Sequence, residues 1–103
     1  MGKVKINISD YRQVLGTLMD NAIKYCDKKI SVNLAGRELV VKNDGTVISE
    51  KDLTHIFDRF YQADKSAEGV GLGLSIAKAL ADRNNWKISV KSTDSETEFV
   101  VKL

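Results

Sequence analysis

Proline is absent from the 103-residue chain, and nothing functional follows from that. Cysteine occurs once, at Cys26, so no intrachain disulfide can form and a reducing, cytoplasmic setting is the natural expectation. No apolar run approaches the roughly 18–20 residues that a membrane-crossing helix needs. The opening Met1-Gly2-Lys3 has none of the apolar stretch of a secretory signal, and Met1-Gly2 is compatible with an expression remnant. An excess of one charge is lacking as well. The 16 basic and 14 acidic residues leave a net charge of +2, mixed along the chain, which argues against nucleic acid as a partner and against direct membrane contact. What remains is 43% hydrophobic and 29% charged, the balance of one soluble domain over residues 1–103 that buries a core without staples.

Hydrophobic periodicity sets out the elements. Val4, Ile6 and Ile8 alternate with polar residues, which predicts a strand over Lys3–Ile8. Ser9 and Asp10 offer N-cap oxygens to a helix running to about Cys26. Asp27-Lys28-Lys29 turns the chain into a strand over Ile30–Leu34, and Ala35-Gly36-Arg37 folds it back through Glu38–Lys42. Asn43-Asp44-Gly45 breaks that strand, and Ser49 caps a second helix from Glu50 to about Phe57. The aromatic segment runs on to Gln62, and Ala63–Gly71 reads as a loop. A third helix is predicted over Leu72–Arg83, ended by a left-handed residue in Asn84-Asn85. Strands over Lys87–Ser92 and Thr97–Leu103 close the chain. Strands come in pairs rather than alternating with helices. The expected class is α+β: a two-layer sandwich, with a mixed sheet of about five strands and about three helices on one face.

Four places carry possible chemistry. On the first helix, at ~100° per residue, Thr17, Asp20, Asn21 and Lys24 share one face, with Tyr25 at its border. Leu15, Leu18, Met19, Ala22, Ile23 and Cys26 fill the opposite arc, the expected core side. An Asn oxygen suits Mg²⁺ that already carries phosphate oxygens, and a Lys one turn on suits the phosphates; a merely solvated face has the same pattern. Asn43 to Ile48 could accept a bond from an adenine amino group and pack an aliphatic side chain on the ring, or be only a turn. Ile56 to Tyr61 places Arg59, a fork suited to phosphate, among aromatics whose simpler reading is a core anchor. Gly69, Gly71 and Gly73 alternate with Val70, Leu72 and Leu74 at the mouth of a helix, as in a phosphate cradle or a hinge.

Together and in this order, the four segments resemble the ATP-binding catalytic domain of two-component sensor histidine kinases, in the superfamily of gyrase, Hsp90, histidine kinases and MutL. Leu18 to Tyr25 is similar to the family's N box, Asn43 to Ile48 to its first G box, Ile56 to Tyr61 to its F box and Gly69 to Leu74 to its second G box. The resemblance implies a Bergerat-type fold binding ATP and Mg²⁺. It implies that Asn21 holds Mg²⁺, that Lys24 meets the phosphates and that Tyr25 lies beside the purine. Asn43, Gly45 and Ile48 would serve the adenine, while Gly69, Gly71, Leu72, Gly73 and Leu74 would frame the lid and phosphate pocket. Arg59 would sit near the γ-phosphate or the phosphoacceptor partner.

The implied partner is a separate dimerisation and phosphoacceptor domain, with a response regulator served indirectly. The domain is then expected in the cytoplasm, free or as the cytoplasmic portion of a membrane-anchored kinase. Three positions depart from the family pattern. Asn43 replaces the adenine-reading Asp, Val47 the second glycine of the first G box and Thr17 the first Asn of the N box. ATP-hydrolysing relatives carry a water-activating Glu where Thr17 stands, so phosphoryl transfer fits better than hydrolysis. His55, beside the F box, reads as a helix-surface or capping residue rather than the phosphoacceptor. Two other readings keep the fold: a nucleotide-binding or interaction module with little catalysis, and an anti-sigma-type Ser/Thr kinase.

Overall fold

The computed structural model describes residues 7–45, 48–58, 73–93 and 95–103. Helix α1 spans Ile8–Tyr25. Its cap is Asn7, whose side chain accepts from the Asp10 N–H at 3.1 Å, while Asp10 in the first turn faces the positive end of the helix dipole. Ile8 and Ser9 are therefore helical, not the end of a strand and a cap. Asn is among the strongest capping residues and wins two positions earlier. The rest of the expected first strand lies outside the described residues.

The buried stripe of α1 is Val14, Leu18 and Ala22, four residues apart. Ile23, expected in the core arc, is 59% exposed. A second helix flanks α1 on the side of Asp10 and Thr17, so the covered arc is rotated toward Val14 and away from Ile23. Cys26 lies just past the helix as its C-cap.

Strand β1 (Ile30–Ala35) and strand β2 (Glu38–Asp44) form a hairpin with Ala35 opposite Glu38. Gly36 takes a φ of +62° as the first of two loop residues, the conformation that two-residue hairpins ask of glycine. β2 continues through Asn43 and Asp44, which pair with the last strand instead of breaking the ladder. The positive φ of this corner falls on Gly45 alone, at +107°.

Helix α2 is short, Glu50–Leu53, capped by Ser49 as expected. It stops before Phe57 because Thr54 turns its hydroxyl onto the Lys51 carbonyl at 2.7 Å. The following backbone bonds, His55 to Asp52 and Asp58 to His55, are then of the tighter i to i−3 kind. Ile56 is buried, and Phe57 packs edge-on against Phe99 with centroids 6.2 Å apart, which is the core-anchor reading.

Helix α3 (Gly73–Arg83) ends as the sequence predicts, with Asn85 left-handed at φ 59°. The Asn85 N–H reaches the Asp82 carbonyl and the Trp86 N–H the Ala81 carbonyl, completing a Schellman end. Trp86 then packs against Tyr11 of α1.

Strand β3 (Lys87–Ser92) and strand β4 (Glu96–Lys102) form the second hairpin, and the sheet order is β1-β2-β4-β3. Leu39, Val41, Phe99 and Val101 point from the middle strands into the helices and are almost fully buried. The architecture is thus α+β in two layers, with the helices on one face. Among the described residues the sheet has four strands, and all its pairings are antiparallel rather than mixed. The physical reason is that each hairpin is antiparallel within itself, and the two hairpins join through β2 and β4 in opposite directions.

Candidate functional site

α1 and α3 run antiparallel. Arg83, at the end of α3, bonds Asp10 near the start of α1. At the other end a Cβ on Gly73 would lie 3.5 Å from Thr17 Cγ2. Continuing along α1 beyond Thr17 carries the chain past the start of α3. One turn on stands Asn21, about 6 Å farther along the axis. The N-terminal N–H groups of α3 and the polar face of α1 thus open toward the same end of the sheet. Asn21 is half-buried there, Lys24 exposed, and the Lys24 Nζ lies 5.4 Å from the Tyr25 ring centroid.

Asn43 reaches this end from below. It points inward from β2 in a polar row with Thr97 and Ser92, its neighbours in register across the sheet. It is 2% exposed. Its Nδ2 donates to the Asp44 carbonyl at 2.8 Å, which leaves Oδ1 as the group turned to accept. Among the described residues Asn43 makes no side-chain bond beyond this one. Ile48 is half-buried and its N–H donates to Ser92 Oγ at 2.8 Å, which draws the segment after Gly45 toward the second hairpin. Ser92 Oγ lies 3.0 Å from Thr97 Oγ1.

The residue that ties these pieces together is one that the sequence reading passed over as part of a turn. Asp44 Oδ1 accepts from the N–H groups of Asp27, Lys28 and Lys29 at 3.1, 2.9 and 2.9 Å. This pins the end of α1, with Asn21 and Tyr25, to the end of β2, with Asn43. Gly45 completes the joint, because a Cβ there would sit 2.5 Å from the Tyr25 carbonyl oxygen. The available signal was an Asp before a Gly at a strand end, which reads equally well as a turn.

The three N–H groups, Lys29 first, hold the Asp44 carboxyl below its usual 3.8. Asp10 is lowered likewise, by Arg83 first and then Asn84. Between the folded and unfolded values the unfolded chain binds more protons. The stabilisation from each group is therefore complete above about pH 4 and is lost as pH falls through the folded value. Asp44→Asn is expected to melt below the parent at pH 7, with the two melting curves converging as the pH is lowered through this window. Circular-dichroism melts across pH 7 to 2.5 check this, and a gap independent of pH would contradict it.

The structure brings together Asn21, Lys24, Tyr25, Asn43, Gly45, Ile48 and Gly73. Leu74 is half-buried and packs against the core. Arg59, Gly69, Gly71 and Leu72, with Val47, lie outside the described residues. His55 is exposed and its Nδ1 meets Asp58 Oδ2 at 2.8 Å, a surface pair within one turn. Among the described residues no group of three or more His, Cys, Asp or Glu could hold a metal by itself. Asn21 offers a neutral amide oxygen, a hard donor of the kind that suits Mg²⁺ already carrying phosphate oxygens and water.

Residues 6–103 match the family model described as histidine kinase-, DNA gyrase B-, and HSP90-like ATPase. The sensor histidine kinase YkoH of Bacillus subtilis is 42% identical over 97 residues, covering 86% of this chain and 21% of YkoH. The probable sensor kinase SilS of Salmonella typhimurium is 31% identical over 103 residues, covering 90% of this chain and 21% of SilS. The chain spans about a fifth of the length of these relatives. The catalytic domain of the histidine kinase ThkA, solved nucleotide-free, superposes with a TM-score of 0.76 at 27% identity, over 97% of this chain and 70% of that one. The mycobacterial sensor histidine kinase MprB shares the fold with a TM-score of 0.77 at 22% identity, over 96% of this chain and 76% of that one. With the family match running over almost the whole length and the motifs in its order, the chain belongs to the histidine kinase-, DNA gyrase B- and HSP90-like ATPases.

Proposed function

We propose that residues 1–103 are the catalytic and ATP-binding domain of a sensor histidine kinase, which presents the γ-phosphate of Mg-ATP to a His on a separate dimerisation domain. The observation that carries this is the convergence of three groups at one end of the sheet. They are the Asn21–Lys24 face of α1, the Oδ1 acceptor of the buried Asn43, and the N-terminus of α3. Asn43 Oδ1 accepts from the adenine 6-amino group, and Tyr25 and Ile48 border the base. Lys24 and the first N–H groups of α3 neutralise the phosphates. Mg²⁺, when bound with the nucleotide through Asn21, supplies charge neutralisation between the phosphates. The full-length structure of ShkA, which shares this fold, holds AMPPNP.

Thr17 stands where a water-activating carboxylate would be needed for hydrolysis, and its methyl group faces Gly73. Transfer to a positioned His needs no strong base from this domain, because such reactions rest on positioning and charge. Arg59 and the glycines at 69 and 71 complete the proposal as phosphate-side residues. The response regulator is served through the phosphorylated partner domain. No helix among the described residues is long and apolar enough to cross a membrane.

Calorimetric titration with a non-hydrolysable ATP analogue, with and without Mg²⁺, tests the site. Binding that tightens with Mg²⁺ is expected. A folded sample that binds nothing at millimolar analogue would leave an interaction module as the function. Transfer is then tested on an added dimerisation domain, where an acid-labile phosphoprotein is expected and an acid-stable one would indicate a Ser/Thr kinase.

A further inference from the structure

α3 lies along α1 from Gly73, where an added Cβ would meet Thr17, to Arg83, which bonds Asp10, and its fully buried residues between are the small Ala77 and Ala81, spaced four apart. Such a stripe lets two helices approach closely but offers no large side chain to lodge in the facing groove. Packing along it resists separation better than it resists sliding. At the far end of the seam the contact changes character. The Asp10 carboxylate, on a residue only 5% exposed, accepts from Arg83 Nε at 3.0 Å, from Arg83 Nη2, and from Asn84 Nδ2 at 2.7 Å. Asn84 is itself held, its Nδ2 also reaching the Leu80 carbonyl at 2.8 Å. Among the described residues this is the ion pair that joins the two helices.

We infer that Asp10, Arg83 and Asn84 are positioning residues: an axial lock that sets where the N-terminus of α3 stands against Asn21 and Lys24, and so governs how the triphosphate is held. This rests on the nucleotide reading of the site. α3 is a rod of 11 residues, about 16 Å long, locked at one end and facing the phosphates at the other. An axial slip at the lock is carried undiminished to Gly73. The base would meet Asn43 and Ile48, which hang on the sheet and the second hairpin, and Tyr25 at the end of α1, which Asp44 pins to β2; none of the three rides on α3. Loss of the lock therefore separates the two halves of the ligand: the phosphates lose their geometry and the base keeps its own.

The test uses the 103-residue chain and the double variant Asp10→Ala with Arg83→Met, which removes the lock without leaving a buried carboxylate alone. Mg-AMPPNP is titrated by calorimetry and adenosine by NMR, both well below the melting temperature of the variant. The expected result is a loss of about tenfold or more in triphosphate affinity, with adenosine affinity within about twofold of the parent. If both affinities fall together, or if melting drops while triphosphate affinity holds, the lock is structural only and the inference is overturned. Should the double variant not fold, Arg83→Gln keeps one donor to Asp10 without the fork, and the same split is expected in smaller measure. A folded parent chain that binds no Mg-AMPPNP would overturn the nucleotide reading itself, and this inference with it, which is a distinct result.

Discussion

Gly45→Ala is expected to cost the domain about 2–5 kcal/mol, from backbone strain and overpacking together. At a φ of +107° a side chain is strained whatever surrounds it. Here the surroundings are also closed. The added carbon would meet the Tyr25 carbonyl oxygen at 2.5 Å and the Asp27 nitrogen at 2.8 Å, both backbone atoms at the end of α1. Neither can turn aside as a side chain would. To make room, the α1–β1 connection must lift from β2, which breaks the three N–H bonds to Asp44. Gly36→Ala is the control, at a φ of +62° inside the left-handed region and with nothing within 4 Å, so backbone strain alone acts there and costs about 1–2 kcal/mol. Thermal unfolding separates the two. At about 4–8 °C per kcal/mol for a domain of this size, Gly45→Ala should melt many degrees below Gly36→Ala. Equal midpoints would mean that the joint yields, and that Asp44 and Gly45 do not hold the site together.

What could be read in advance follows the range of the interactions. The turn at Gly36, the strand Lys87–Ser92 and the left-handed end at Asn85 are each decided within a few residues, and the structure has them where the sequence puts them. Ile23 was misplaced because helical periodicity finds an apolar arc but not which part of it a neighbouring helix will cover. The length of α2 turned on one hydroxyl, that of Thr54, competing for a carbonyl. The two carboxylates that organise the site region were illegible for a different reason. Asp44 finds its donors 15 to 17 residues away and Asp10 finds Arg83 at a distance of 73, and no local pattern marks either pairing. The polar face of α1 is the converse case. Asn21 and Lys24 stand out because they are polar where packing does not require it, and this is also why they can be changed without harm to the fold.

Asn21→Ala is accordingly expected to remove Mg²⁺-dependent nucleotide binding while leaving the domain as stable as before or slightly more so. The side chain is half-buried and makes no hydrogen bond to the residues described, so nothing structural is lost with it. Alanine is the better helix former, by roughly half a kcal/mol at a mid-helix position. The loss falls on the ligand alone. On the proposed reading Asn21 would hold Mg²⁺ against α1, and its replacement would leave that hold to the phosphates and water. The tightening of analogue binding by Mg²⁺ should then disappear, while binding measured without Mg²⁺ stays near that of the parent. Phosphoryl transfer to an added dimerisation domain should fall by about 100-fold or more, the usual scale for removing one preorganised electrostatic contact from a transition state. Asn43→Ala should act differently, weakening analogue binding with and without Mg²⁺ alike, because in the proposed site it removes the acceptor for the base. The pair of variants therefore assigns the two ends of the site separately. Persistence of the full Mg²⁺ effect in Asn21→Ala would move the metal elsewhere and remove the central support for the kinase reading.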